Sequence, residues 1–121
     1  MVDFEMPVLW LIVWVGNSKK NILSFPVEVQ KLIGDELQFI QFGGMPKDTK
    51  PLKGMGSGVF EIAIRFNTDA YRTVVAVLLG KKIYVLHAFQ KKSKRGVATP
   101  KQDMDLIKQR YTEAQGLAKN E

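Results

Sequence analysis

Hydrophobic and polar residues change period several times along the chain, and each change predicts an element. The run Val8 to Val15, VLWLIVWV, is unbroken and follows Pro7, which reads as a buried strand. Asn17-Ser18 then offers a cap for a short helix that stops at Phe25-Pro26. Pro26 suits the first turn of a second helix, in which Val29, Ile33, Leu37 and Ile40 recur at helical spacing, with Leu32 beside them. Gly43-Gly44 is its predicted end. Residues 45–58 are rich in Pro, Gly and Lys and read as a loop. Strict alternation returns at Phe60, Ile62, Ile64 and Phe66, the mark of a half-buried strand. Two further β-rich runs, Tyr71 to Leu79 and Ile83 to Phe89, meet at Gly80-Lys81. Thr99-Pro100-Lys101-Gln102 has the form of a capping box, opening a helix with Met104, Ile107, Tyr111 and Ala114 on one stripe. The order is strand, helix, helix, three-strand meander, helix. It predicts an α+β fold with a small, mainly antiparallel β-sheet in a single domain over residues 1–121.

The apolar run at the start is too short to span a bilayer, which takes about 20 residues. Asp3 and Glu5 stand where a signal peptide would carry basic residues. The expectation is a cytoplasmic protein without a membrane partner. With no Cys and one His, thiolate chemistry and paired-His metal sites are excluded, and no cofactor is expected. The 18 basic and 12 acidic side chains give a formal net charge of +6. That excess is localised. No acidic residue lies between Asp69 and Asp103, whereas Arg72, Lys81, Lys82, Lys91, Lys92, Lys94, Arg95 and Lys101 all do. Such a field attracts phosphates.

Alternation along the strands assigns faces. Tight hairpins centred on Thr68-Asp69 and Gly80-Lys81 put Arg65 opposite Arg72, Arg72 opposite Phe89, Ala63 opposite Val74 and Val74 opposite His87. One face then holds Phe60, Ile62, Ile64, Tyr71, Thr73, Val75, Tyr84 and Leu86 against the two N-terminal helices. The other gathers Glu61, Arg65, Arg72, His87 and Phe89, with Val74, Ala76, Ile83 and Val85. Like charges directly opposite destabilise a sheet. A face that tolerates them beside a lysine run suits an anion, and an aromatic there can stack on a base of single-stranded RNA.

In order and spacing, Lys50-Pro51-Leu52-Lys53-Gly54, then Val59-Phe60-Glu61-Ile62, then Tyr71-Arg72, then the run from Tyr84 through Leu86-His87-Ala88-Phe89-Gln90 to Lys94 resemble the phage-derived, HigB-like branch of the RelE/ParE toxin superfamily. The similarity extends from about Trp14 to Tyr111. The resemblance implies the toxin of a type II toxin–antitoxin pair, an endoribonuclease (mRNA interferase) cutting messenger RNA on the ribosome and restrained by a helix-turn-helix antitoxin. It implies attack of a ribose 2′-hydroxyl on the neighbouring phosphate, without metal. That chemistry needs proton transfer at two oxygens and positive charge on the transition state. In that frame Arg72 would clamp the phosphate, with Lys53 and Lys91 or Lys92 adding charge. His87 would act as acid or base, with Glu61 as a reserve base. Phe89 would stack on a base, and Arg65, Lys94 and Arg95 would bind RNA. The sequence departs from the pattern at Gly96-Val97-Ala98-Thr99, where no reactive Tyr can be matched, and lysines replace the expected arginine around Lys92.

Two other readings compete. A gyrase-inhibiting toxin of the ParE type shares the implied fold, and a phage-derived RNA-binding protein without catalysis shares the basic face.

Overall fold

The computed structural model of the chain describes residues 9–79, 81–91 and 99–120. Its elements follow the expected order, with one short strand added: β1 (Leu11–Trp14), α1 (Ser18–Leu23), α2 (Val27–Gln41), β2 (Thr49–Pro51), β3 (Val59–Phe66), β4 (Asp69–Leu79), β5 (Lys82–Lys91) and α3 (Lys101–Lys119). β1 is shorter than the apolar run that predicted it, and Val8 lies outside the described residues. The five strands form one sheet in the order β1-β5-β4-β3-β2, with β1 parallel to β5 and the other pairs antiparallel. The fold is therefore α+β, with helices on both faces of a mostly antiparallel sheet. No helix among the described residues is long and apolar enough to cross a membrane.

Helix ends depart from the expected caps in small ways. Pro26 and Pro100 each occupy the N-cap, with extended ψ of 147° and 146°, and the helices start one residue later than predicted. Thr99 consequently falls one position too early for its capping box, and no side chain caps α3. Asn17 does stand at the N-cap of α1, yet its side chain does not cap the helix. α2 ends as its glycines predict. Gly43 has φ +93°, and the Gly43 and Gly44 N–H groups donate to Ile40 O at 2.9 Å and Phe39 O at 3.0 Å, closing a Schellman motif.

The core has two parts, one on each side of the sheet. Val29, Ile33, Leu37 and Ile40 of α2 pack with Ile62, Ile64, Tyr71, Val75, Ile83 and Val85. Ile107 and Ala114 of α3 pack with Val59, Val74, Ala76, Tyr84 and Leu86. Tyr84 and Leu86 thus lie on the α3 side, and Ile83 and Val85 on the α2 side, the reverse of strict alternation. A register shift explains it. Val74 pairs with His87 but Val75 pairs with Val85, so Leu86 is an extra residue, and the faces of β5 exchange beyond it.

The β3–β4 hairpin is also corrected. Its turn is Asn67-Thr68, both with positive φ (49° and 68°), and Phe66 pairs with Asp69. Arg65 therefore faces Ala70 rather than Arg72, and Ala63 rather than Arg65 is Arg72's partner. The shift relative to the expected register is two residues, so every β3 side chain keeps its predicted face.

Candidate functional site

Directly paired residues project to the same side of a sheet, so the register builds the α3 side row by row. Arg65, Ala70 and Lys91 form the row nearest the β3–β4 turn. Ala63, Arg72 and Phe89 form the next, and Glu61, Val74 and His87 the third, with Lys50 of β2 opposite Glu61. α3 covers the apolar rows beyond, where Val59, Val74, Ala76 and Tyr84 lie. Among the described residues, the turn end of the sheet is left open. Arg65 and Lys50 are exposed there, and Ala63, Ala70, Arg72, Phe89 and Lys91 are partly so. The methyl side chains of Ala63 and Ala70 keep the surface around Arg72 low.

Arg72 is held from below. Its Nε forms an ion pair with Glu61 Oε1, and the two side chains are 12% and 6% exposed. A guanidinium has five N–H donors, so a carboxylate engaged at Nε leaves the donors of the terminal nitrogens for other acceptors. Glu61, expected on this face as a reserve base, is buried there and paired with Arg72.

His87 lies on the Arg72 side of the sheet, as expected, but it is not open. α3 closes over it, leaving the imidazole 8% exposed, because two α3 side chains grip both ring nitrogens. Arg110 Nη1 donates to Leu86 O at 2.9 Å and to His87 Nδ1 at 3.3 Å. Nδ1 is then an acceptor, which assigns the ring proton to Nε2, and Nε2 donates to Asp103 Oδ1 at 2.8 Å. Asp103 is 25% exposed and forms the outer edge of this chain of contacts. Arg110 Nη2 also donates to Asn17 Oδ1, which takes that oxygen away from capping α1. Burial lowers the pKa of Arg110 and Glu113 partly offsets the shift, while the guanidinium stays charged. Phe89 stacks on His87, with ring centroids 5.3 Å apart and an 18° interplanar angle, so one aromatic face is already occupied.

The remaining predicted residues are distributed unevenly. Lys53 is exposed in the loop between β2 and β3, one residue past Leu52, which is buried against the α3-side core. No hydrogen bond or ion pair links Lys53 to Arg72 or His87 among the described residues. Lys91 closes the row of Arg65 at the end of β5. Lys92, Lys94 and Arg95, and with them most of the basic run, lie outside the described residues, as does the stretch 96–98 where a Tyr was sought.

Sequence reasoning missed Asp103, Arg110 and the tie to Asn17. The signal was present: Asp103, Ile107, Arg110 and Ala114 fall on one helical stripe, so a charged pair seven residues apart interrupts apolar positions.

Among solved structures, a chain in the crystal structure of the toxin–antitoxin complex RelBE2 from Mycobacterium tuberculosis is similar, with 18% identity over 75% of this chain and 100% of that one and a TM-score of 0.48. No curated protein matches the sequence. The family model for phage-derived proteins of the Gp49-like kind (DUF891) matches residues 20–112, most of the sheet and all three helices in whole or part, and the chain belongs to that family.

Proposed function

We propose that this protein is the toxin of a toxin–antitoxin pair and cleaves messenger RNA on the ribosome by metal-independent attack of a 2′-hydroxyl. The observation that carries the reading is the open end of the sheet. There Arg72 stands between Ala63 and Phe89 with its Nε fixed by Glu61, and Arg65 and Lys91 occupy the next row. Membership of a phage-derived family and the sequence resemblance to HigB-like toxins support the same reading.

In this mechanism the terminal nitrogens of Arg72 hold the scissile phosphate. The O2′–P bond forms and the P–O5′ bond breaks, leaving a 2′,3′-cyclic phosphate and a 5′-hydroxyl. Charge grows on the non-bridging oxygens, where a fixed guanidinium is most effective. Lys53 and Lys91 or Lys92 add charge at the scissile phosphate, Arg65, Lys94 and Arg95 bind flanking phosphates, and Phe89 takes a base. His87 acts as base and then acid. For the imidazole to act, it must leave both α3 partners, Asp103 at Nε2 and Arg110 at Nδ1; with the ring proton moved to Nδ1, Nε2 takes the proton of the 2′-hydroxyl, and the imidazolium so formed returns a proton to O5′ as the P–O5′ bond breaks.

Mapping of RNA 5′ ends after induced expression tests the proposal. The wild-type chain is expected to arrest growth and generate new messenger ends. Arg72→Ala is expected to reduce cleavage about 100-fold or more, the usual consequence of deleting a transition-state donor. Growth arrest with DNA breaks and no new RNA ends would transfer the reading to a gyrase-inhibiting toxin.

A further inference from the structure

We propose that the groove between β1, α1 and α2, remote from Arg72, seats the antitoxin through an extended segment that is apolar on one face and carries a carboxylate for Lys19. The inference rests on the toxin–antitoxin reading and adds to it where the partner binds.

β1 is an edge strand with β5 on one side and no strand on the other among the described residues. It nevertheless has the composition of an inner strand. Ile12 and Trp14 line the groove, Val13 packs on the α3-side core, and Leu11 is 63% exposed. An apolar edge strand that no second strand covers among the described residues is a template for another chain, and proteins normally cover or charge such edges. Beside it the groove encloses about 220 Å³, walled mainly by Ile12, Trp14, Ile22, Leu23 and Leu37.

Gly34 lies in that wall, in the middle of α2. Its φ is not left-handed, and a Cβ built on it would meet nothing within 4 Å. Neither backbone conformation nor packing among the described residues calls for glycine there, although glycine weakens a helix interior. The space it leaves is outside the protein's own core and admits a visiting side chain.

Charge selects the visitor. Lys19 Nζ lies over the Trp14 ring, 6.0 Å from its centroid, at the lip of the groove, and no carboxylate lines it among the described residues. A second copy would bring the same lysine and another net charge of +6, whereas an acidic partner gains from both. Pairing with an edge strand while alternate side chains fill an adjacent groove is an established mode of peptide capture.

The test is co-expression of the full chain with the helix-turn-helix reading frame beside its gene, read by native mass spectrometry and by titration of the purified partner. The wild type is expected to form a complex. Gly34→Trp, which fills the groove, and Lys19→Glu, which reverses its charge, are each expected to weaken it about tenfold or more. Gly34→Ala and Arg72→Ala should leave it intact. Thermal unfolding identifies any variant that fails to fold, and Lys19→Glu, a surface change, keeps the test decisive. A complex that survives both groove variants overturns the inference alone. Failure of the wild type to bind removes the toxin–antitoxin reading with it. Self-association that Gly34→Trp abolishes would give the groove to a second copy and overturn the proposal.

Discussion

Arg110 is a buried cation whose hydrogen-bond acceptors, Leu86 O, His87 Nδ1 and Asn17 Oδ1, carry no formal charge. One side chain thereby joins α3 to β5 and to the turn before α1. Removing it strands three buried or half-buried acceptors, so Arg110→Ala should lower stability by about 2–4 kcal/mol in urea unfolding. Arg110→Lys should recover only part of that, because an ammonium lacks the planar fork. Glu36 gives a smaller effect with a defined pH dependence. Partial burial, then the nearby Asp48 and Asp35 carboxylates, raise its pKa in the folded chain. The ionised form is thus disfavoured by folding. The penalty is present above the folded pKa and is relieved as pH falls through it towards the unfolded value. Glu36→Gln is expected to raise the melting temperature slightly at pH 7, with the gain shrinking as the pH drops through the carboxylate range. At this scale the sequence displayed Arg72, His87 and Phe89 on their correct side because period-2 alternation is a local property. It did not display the closure of His87, which depends on how α3 lies across the sheet.

The β3–β4 hairpin shows what an element adds. Its turn needs two residues with positive φ. Asn67 accepts this readily, but Thr68, at φ 68°, is β-branched and poorly suited to it. Thr68→Gly should therefore stabilise the protein by about 1 kcal/mol, measurable as a higher urea midpoint with an unchanged slope. The same residue misdirects prediction, since Thr-Asp followed by an alanine gives no clear sign of where the chain reverses. Helix positions were legible from the 3.6-residue repeat of Val29, Ile33, Leu37 and Ile40, and all four are buried. β2 was not, because three residues ending in proline carry too little pattern, and it takes its place by pairing with β3.

For the molecule as a whole, charge and cover are complementary. α3 shields the apolar rows of the sheet and stops where Arg65, Arg72 and Lys91 begin. Binding of single-stranded RNA to this end should weaken linearly on a log–log plot against salt. Arg65→Ala and Lys91→Ala should each flatten the slope by about 0.7, as expected for one lost phosphate contact, and fluorescence anisotropy titrations at several salt concentrations would measure it. The additional residue at Leu86 bears on everything N-terminal to it in β5. Because of it, one strand is read in two frames, and Leu86 and His87, although adjacent, both meet α3. Deleting that single position would turn Ile83, Tyr84 and Val85 inside out together, sending a tyrosine towards α2 and two branched aliphatics towards α3. The length of this strand is consequently as constrained as its composition, and shortening it by one residue should be far more damaging than replacing any one of its side chains.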